Sequence, residues 1–329
     1  MSTVQTETGR IPTLHVVADS IPLAHYRAMK AVWENGLEIR TEYDRKEQGA
    51  YIDPPSRDAR VLIEVTDPFS QPRYPASSFC EVGTYIAEIM GVKDHMVVPM
   101  AQLKDAIGGE LSATEWPYTY HQRLFDHPDV NGDTVDQMAL AIERVAETPY
   151  TRRAVATTTV PNIDPFLKED VPCLREIQLR CPEDEEGNLS LNMSTAWRSR
   201  DLYKAWPDNV IGLTFLQSVL AREIEKKVGR PVRVGSYADF SFSLHIYGQD
   251  FSMVGGDEEQ GIKSFFDTSD EETYVARSFS SDDAAEMLVL PQLKKLLSDA
   301  QVEQWRFPQA SIELINGLIR DLDSGDLKA

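Results

Sequence analysis

The sequence is short of positive charge, of cysteine and of long apolar runs. Its 329 residues carry 33 lysines and arginines against 53 aspartates and glutamates, which gives a formal net charge of −20. A surface of that sign repels a phosphate backbone and an anionic leaflet, so we expect neither nucleic acid nor a membrane as a partner. Any phosphate that the protein binds must be held by a local arginine cluster, and the arginine positions are therefore informative.

Segments that would direct the chain out of the cytoplasm are also lacking. The first ten residues, MSTVQTETGR, contain neither a basic stretch nor an apolar one, and no run of about 18 apolar residues follows them. We therefore expect a soluble cytoplasmic protein. The three cysteines, Cys80, Cys173 and Cys181, match neither a disulfide framework nor a zinc-binding spacing, which predicts at least one thiol outside any disulfide.

Several widespread catalytic motifs are missing as well. The chain has no phosphate-binding glycine loop, no G-x-G-x-x-G, no H-E-x-x-H and no paired C-x-x-C. These absences argue against kinases, dinucleotide-dependent enzymes and zinc hydrolases. We also predict no metal site.

Helical and strand patterns alternate along the chain and predict an α/β (α+β) fold. Helices are predicted over residues 24–35, 78–90, 135–147, 208–228, 284–299 and 310–322, and strands over 61–65, 154–160, 174–180, 189–196 and 241–247. The helix over 208–228 is the longest and is expected to be central and buried. Residues 251–283 are predicted to be an acidic loop. Because no repeat or linker interrupts the pattern, we expect one domain over 1–329.

The predicted strand over residues 241–247 alternates between apolar and polar side chains. Phe242, Leu244 and Ile246 fall on one face. Because successive side chains of a strand point to opposite faces, His245 and Tyr247 point the same way on the other face.

A cysteine and two arginine-containing segments stand out among the remaining residues. Cys173 follows a proline at the start of a predicted strand, although a lone cysteine is more often an inert buried side chain than a nucleophile. Forked donors and a hydroxyl suited to a phosphate dianion occur in Thr151-Arg152-Arg153 and in Trp197-Arg198-Ser199-Arg200-Asp201. The alternative for isolated arginines is surface salt bridging.

In this order, these segments resemble the signature blocks of the thymidylate synthase superfamily. The blocks are Arg152-Arg153, Pro172-Cys173, Arg198-Ser199 with Asp201, Pro207 with Asn209, and His245 with Tyr247. The match is strongest over residues 118–250, and 251–329 look like a divergent C-terminal extension. Residues 118–123 and 244–247 look more like the archaeal-type and nucleotide hydroxymethylase branches than the common bacterial synthase.

The resemblance implies a homodimer with a large mixed sheet, a pyrimidine nucleoside monophosphate as substrate and 5,10-methylenetetrahydrofolate as carbon donor. Cys173 would be the nucleophile that adds to C6 of the base and so activates C5. By the same resemblance, Arg152 and Arg153 would bind the phosphate across the dimer interface, Arg198 and Ser199 the same phosphate in cis, His245 and Tyr247 the ribose, Asp201 the pterin and Asn209 the pyrimidine edge, with Tyr120 near the reacting base.

Two family roles have more than one candidate. The glutamate that organises water and proton transfer maps to Glu81, with Glu88 as the alternative, since residues seven apart in a helix share a face. An N-terminal phosphate arginine is either Arg40 or Arg57.

The nature of the product rests on two departures from ordinary synthases. Residues 318–329 have no counterpart of the synthase tail that excludes water, and Leu174 replaces a histidine, a change that archaeal-type relatives share. Water at the exocyclic methylene gives a hydroxymethyl group, so we expect hydroxymethylation of CMP or dCMP, as in phage DNA modification or nucleoside-antibiotic pathways. Asp208 would favour cytosine if it pointed inward but is expected to cap a helix. The alternatives are a thymidylate synthase acting on deoxyuridylate and a non-catalytic nucleotide-binding regulator.

Overall fold

The computed structural model of the protein describes residues 9–76, 81–99, 102–103, 115–128, 133–167, 171–255, 261–302, 307–325 and 327. The chain contacts divide into two units. The first unit comprises Met1–Cys80, Ala196–Val210 and Ser236–Ser280, and the second comprises Glu81–Thr195, Ile211–Gly235 and Ser281–Ala329. None of the helices in the described ranges combines the length and the apolar character that crossing a bilayer requires.

The strands form a mixed sheet and a separate antiparallel pair in the first unit, and a three-stranded arrangement and a separate antiparallel pair in the second. They are β1 Thr13–Ala18, β2 Leu37–Ile39, β3 Lys46–Glu47, β4 Ala50–Tyr51, β5 Ser56–Val65, β6 His127–Pro128, β7 Thr134–Val135, β8 Val155–Thr157, β9 Leu174–Arg180, β10 Leu189–Trp197, β11 Arg200–Asp201 and β12 Val232–Ile246. In the first unit the order is β1-β5-β12, with β2 beside β5 and β11 beside β12. β1 is parallel to β5 and β12 is antiparallel to it, so this sheet is mixed. In the second unit the order is β10-β9-β8, with β8 antiparallel to β9.

Helices account for most of the remaining regular structure. They are α1 Ile21–Asn35, α2 Val82–Ile89, α3 Tyr120–Phe125, α4 Gln137–Glu147, α5 Ala205–Val228, α6 Phe251–Gly255, α7 Gly261–Thr268, α8 Glu271–Ala276, α9 Ser281–Ala284, α10 Leu290–Val302 and α11 Gln309–Asp323. In the first unit α1 packs on β1, β5 and α8, and in the second α4 packs on β8 and β9 while α10 packs on α2 and α11. Helices packed on sheets confirm the α/β (α+β) class.

The boundaries of α1 follow from local hydrogen bonding that the apolar pattern did not reveal. Ser20 precedes the helix, and its hydroxyl accepts a hydrogen bond from the Leu23 N–H at 3.4 Å. Pro22 lies in the first turn, where it has no N–H bond to lose. The helix therefore begins at Ile21, three residues before the predicted start, and ends before Gly36 as predicted.

α5 confirms the predicted long buried helix. Every residue from Trp206 to Leu216 is buried, including the polar Asp208, Asn209 and Thr214. The helix begins at Ala205 rather than near residue 208. The prediction that Asp208 caps it is therefore wrong, because Asp208 lies inside the first turn and is only 6% exposed.

The region 251–283 is not the predicted loop, since it contains α6, α7, α8 and the start of α9. Aromatic packing explains the difference in the first unit, where the rings of Phe265, Phe266 and Tyr274 lie within 6.0 Å of the Tyr26 ring, centre to centre. Asp270 caps α8 by accepting a hydrogen bond from the Thr273 N–H at 2.8 Å. The acidic composition suggested a loop, but four aromatic side chains supply enough apolar surface to anchor short helices.

A bulge in β12 alters the predicted alternation. The register with β5 shifts between Ser241 and Leu244, so β12 contains one extra residue there. Leu244 and Ile246 are fully buried, whereas Phe242 is 54% exposed. The prediction that Phe242 shares a face with them is therefore wrong.

A buried ion pair stabilises the first unit. Arg200 Nη2 lies 2.5 Å from Asp239 Oδ1, and both side chains are shielded from water. Asp239 also accepts a hydrogen bond from Trp206 Nε1 at 3.1 Å. Such a pair is costly to break, because the remaining partner stays buried without its counter-charge.

We predict that Asp239→Asn lowers the free energy of unfolding by about 3–5 kcal/mol, because Arg200 stays charged and buried. The exposed pair of Arg230 and Glu183 provides the control, and Glu183→Gln is expected to cost less than about 1 kcal/mol. Denaturant titration of both variants measures the difference. Equal losses would show that the buried pair does not anchor this unit.

Candidate active site

Cys173 immediately precedes β9 in the second unit. Its side chain is half-buried, and Sγ lies 3.9 Å from the carbonyl oxygen of Val171. Both backbone groups of the next residue are hydrogen-bonded. The Leu174 N–H donates to Tyr120 Oη at 3.2 Å, and Thr158 Oγ1 donates to the Leu174 carbonyl. The backbone that carries the thiol is thus fixed while the thiol itself stays partly accessible.

A buried ion pair stabilises the backbone that contacts Leu174. Arg123 Nη1 donates to the Thr158 carbonyl at 3.2 Å, and Nη2 pairs with Asp164 at 2.9 Å. Both Arg123 and Asp164 are only 1% exposed. The role of Arg123 cannot be inferred from local sequence patterns, because its partners lie 35 and 41 residues away along the chain.

The phenol of Tyr120 stays protonated. Burial raises its pKa well above the ordinary value, and the neighbouring Cys173 raises it further. Hydrogen bonds to the backbone of Cys173 and Leu174 oppose this shift without cancelling it. A neutral phenol beside the thiol can both accept and donate a hydrogen bond.

In the first unit, His245 and Tyr247 lie together as the alternation predicts. Their ring centres are 4.4 Å apart in an edge-to-face arrangement. Burial lowers the pKa of His245 to about 4, so the imidazole is neutral near pH 7. The pair therefore offers uncharged hydrogen-bonding groups.

Asp201 lies in β11, beside His245 of β12. Its carboxylate accepts hydrogen bonds from the N–H groups of Tyr203 at 2.8 Å and Lys204 at 3.1 Å. Burial raises the pKa of Asp201 to about 6, with a smaller contribution from the charge of Asp250. A carboxyl group with this pKa can exist in both protonation states near neutrality.

The candidate phosphate ligands fall in both units. Arg152 and Arg153 are exposed in the second unit, just before β8. In the first unit Arg198 is exposed and Ser199 is half-buried, between β10 and β11. Accessible guanidinium groups are suited to binding a dianion.

The two N-terminal arginines differ in accessibility. Arg57 is half-buried, pairs with Glu38 at 2.8 Å and lies over the ring of Trp33. Arg40 is more exposed and pairs with Asp44 at 3.0 Å. Arg40 is therefore the more accessible of the two to a ligand.

The two candidate glutamates also have different surroundings. Glu81 directly precedes α2 and lines a cleft of about 400 Å³. The other residues that line this cleft are Thr84, Lys93, Met96, Trp116, Gln292, Lys295, Leu296, Asp299 and Phe307. Glu88 is absent from this lining and pairs with Lys93 at 3.3 Å. The expectation that both glutamates share a helical face does not hold, because Glu81 lies outside the helix.

Asn209 and Asp208 are adjacent in the first turn of α5, and both are buried. The charge of Asp208 contributes to the raised pKa of Tyr74, which places the carboxylate within electrostatic range of that phenol. Two buried polar side chains in succession provide both an amide and a carboxylate for recognition of a base edge. The described residues contain no group of three or more His, Cys, Asp or Glu placed to bind a metal ion.

Comparisons with known proteins found one family model and several relatives that match this chain. A family model described as Thymidylate synthase matches residues 102–264. A Methanosarcina mazei protein named "Putative thymidylate synthase" is 33% identical over 250 residues, which is 75% of this chain and 94% of that protein. Proteins of the same name are 31% identical in Methanosarcina acetivorans over the same shares, and 27% identical in Methanopyrus kandleri over 68% of this chain and 92% of the relative.

The two described cysteines should differ in reactivity. Cys181 is fully buried, and burial raises its pKa to about 11, so only about one molecule in a thousand carries the thiolate at pH 8. We predict that iodoacetamide modifies the half-buried Cys173 at least about tenfold faster, as measured by site-resolved mass spectrometry. Cys80 lies outside the described residues and serves as an internal reference. Equal rates at Cys173 and Cys181 would contradict the assignment of Cys173 as the reactive thiol.

Proposed function

Because the chain belongs to the thymidylate synthase family, we propose that it hydroxymethylates C5 of a cytidylate, either CMP or dCMP. The family consists of one-carbon transferases that use 5,10-methylenetetrahydrofolate as donor. The proposal concerns the base and the product, which vary within this chemistry.

The observation that carries the choice of base is the buried Asp208 beside Asn209. The 4-amino group of cytosine donates hydrogen bonds, and a carboxylate is an acceptor that matches it. Uracil presents a carbonyl at the same position, which a buried carboxylate repels. The Asn209 amide satisfies either base by rotation, so discrimination falls to Asp208.

In this mechanism the Cys173 thiolate forms a bond to C6, and the C5–C6 π electrons move to make C5 nucleophilic. C5 would then bond to the one-carbon unit of a bound folate, and the bond from that carbon to the folate nitrogen would break as the C5 proton is lost, which would release tetrahydrofolate. Glu81, which lines the cleft in the second unit, directs water and proton transfer during loss of the C5 proton. Water adds to the resulting exocyclic methylene, and the C6–S bond breaks to restore the thiolate.

Asp201 has the chemistry expected of a pterin ligand. An aminopyrimidine edge presents N–H donors, and a carboxyl group with a pKa of about 6 accepts from them when ionised. The phosphate is assigned to Arg198 and Ser199, with Arg40 preferred over Arg57 because it is more accessible. Tyr120 holds the peptide after the thiol and donates toward the base.

A homodimer is part of the proposal. In the first unit, Leu62 of β5 lies beside Phe240 of β12, and Leu62, Phe242 and Val17 of β1 are all at least 40% exposed. An apolar sheet face of this kind is typical of a surface that a second copy covers. Arg152 and Arg153 would then bind the partner subunit's phosphate.

Methylation of deoxyuridylate is the second candidate. It is favoured by the name of the archaeal relatives, "Putative thymidylate synthase". The ability of Asn209 to pair with uracil also favours it. The two activities differ in the fate of the folate, because methylation releases dihydrofolate and hydroxymethylation releases tetrahydrofolate.

We predict that incubation with methylenetetrahydrofolate and each of CMP, dCMP, UMP and dUMP gives a 5-hydroxymethylated cytidylate, detected by chromatography and mass spectrometry. The control, Cys173→Ser, is expected to lower turnover by at least about a thousandfold because the nucleophile is lost. Dihydrofolate absorbance with dUMP would replace this proposal with the synthase. Failure of the wild type to release tritium from C5 of any labelled nucleotide would favour a non-catalytic regulator.

We predict that Asp208→Asn lowers the ratio of kcat/KM for cytidylate to that for uridylate by at least about tenfold, because the amide no longer repels the uracil carbonyl. Steady-state kinetics with both nucleotides measures this ratio, which a general loss of folding leaves unchanged. Asp282→Asn, an exposed carboxylate at the start of α9, is the matched control. A ratio unchanged in Asp208→Asn would remove the main support for cytosine.

A further inference from the structure

Asp58 and Ser243 lie beside His245 and have no role in the chemistry above. Asp58 is in β5, directly opposite His245 in the antiparallel pairing with β12. Directly paired residues of antiparallel strands project to the same face. The Ser243 hydroxyl also lies beside the His245 ring, with Oγ 3.3 Å from Nδ1. The bulge between Ser241 and Leu244 sets this register, so the three side chains meet because β12 contains one extra residue.

These side chains form a hydrogen-bonded chain. A side-chain hydrogen bond with Ser243 lowers the pKa of Asp58 and so opposes part of the effect of burial. An ionised carboxylate has no proton to donate, so the serine hydroxyl is the donor to it. A hydroxyl has only one proton, so Ser243 Oγ is left as an acceptor toward His245 Nδ1, at 3.3 Å. A hydrogen bond from the ring to the backbone of Ser243 also raises the pKa of His245 in part. With Ser243 Oγ as the acceptor in the 3.3 Å contact, Nδ1 carries the proton.

The opposite ring nitrogen is then an acceptor without a donor. His245 is 6% exposed, and Nε2 is buried without a hydrogen-bond partner among the residues that the structure describes. A neutral imidazole with a proton on Nδ1 has its lone pair on Nε2. A buried acceptor of this kind is costly unless a ligand supplies the donor.

We propose that Asp58, acting through Ser243, holds His245 in the Nδ1–H tautomer, so that Nε2 accepts a hydrogen bond from a ribose hydroxyl of the bound nucleotide. This inference rests on the proposed function, which places the nucleotide at His245. Asp58 and Ser243 are positioning residues, because they act on the ligand only through the imidazole. The 3′-hydroxyl is the donor that CMP and dCMP have in common.

The arrangement depends on the ionisation of Asp58. Burial raises the pKa of Asp58 to about 6, while burial lowers that of His245 to about 4. Above pH 6 the Asp58 carboxylate accepts a hydrogen bond from the Ser243 hydroxyl, and Ser243 Oγ accepts one from His245 Nδ1. Below pH 6 a protonated Asp58 donates to Ser243, whose proton turns toward Nδ1, and Nε2 then carries a proton.

Other charges near this group contribute less than burial. Glu42 raises and Arg198 lowers the pKa of His245, both as minor contributions. Arg57, next to Asp58 in β5, is neutralised by Glu38 of β2. Asp201 of β11 lies beside His245 and also titrates near pH 6. The substrate phosphate has a second pKa near 6 too, so the test must separate these groups from Asp58.

The discriminating quantity is the ratio of KM for 3′-deoxy-CMP to KM for CMP, measured from pH 5 to 8. Phosphate and pterin-site titration affect both nucleotides equally and cancel in this ratio. We expect the wild-type ratio to be at least about tenfold above pH 7, the equivalent of about 1.4 kcal/mol, and to fall toward one below pH 6. In Asp58→Asn and Ser243→Ala the ratio should not change with pH.

His245→Ala distinguishes failure of the proposed nucleotide placement at His245 from failure of the role proposed for Asp58. If it leaves the ratio at the wild-type value, the nucleotide does not bind His245 and the proposed placement fails. If it brings the ratio to one while Asp58→Asn keeps the wild-type pH dependence, only the role of Asp58 is overturned. If dCMP is the true substrate, 2′,3′-dideoxycytidylate and dCMP replace the two ribonucleotides.

A second measurement needs no ligand and no turnover. The ¹⁵N chemical shifts of the His245 ring distinguish the two neutral tautomers in the free protein. We expect the unprotonated signal from Nε2 at pH 7.5, and its transfer toward Nδ1 as the pH falls through 6 in the wild type but not in Asp58→Asn. A wild-type ring with its proton on Nε2 at pH 7.5 would overturn the inference, whatever the kinetic result.

Discussion

A charge buried in a protein interior needs a partner of opposite sign, and this requirement governs the candidate site residues in both units. In the first unit Arg200 pairs with Asp239, and Arg200 lies between Ser199 and Asp201 in sequence. The second unit uses Arg123 with Asp164, three residues after Tyr120. Each pair fixes the element that carries candidate ligands. Arg200 and Arg123 are thus structural anchors, each held by a buried carboxylate.

Burial also sets the protonation states available for chemistry. Removal from water raises the pKa values of Asp58 and Asp201 to about 6 and lowers that of His245 to about 4. Each shift favours the neutral form of the group, which is the form that low-dielectric surroundings stabilise. At pH 7 the His245 imidazole is therefore neutral, whereas Asp58 and Asp201 are mostly ionised but can take up a proton when the pH falls toward 6.

The sequence predicts the elements better than it predicts their junctions. α5, the strand Leu174–Arg180 and the proximity of His245 to Tyr247 follow from local periodicity, and all three are confirmed. The bulge in β12 is invisible to the same reasoning, because it depends on pairing with β5, some 180 residues earlier. Asp58 escapes attention for this reason. Sequence spacing shows which residues of one strand share a face. Residues that meet across two strands can be identified only when the pairing register is known.

The C-terminal region completes both units rather than extending them. Within the first unit, Tyr274 of α8 binds the buried His25, with Oη 2.8 Å from Nδ1. Within the second, Gln292 of α10 accepts a hydrogen bond from the Gly83 N–H at 2.6 Å, at the start of α2, and Lys295 lines the cleft that contains Glu81. The family model ends at residue 264, before Tyr274, Gln292 and Lys295. Side chains beyond the matched segment therefore pack against the elements that carry the proposed site residues. Substitutions in this region should change the positions of those residues through packing.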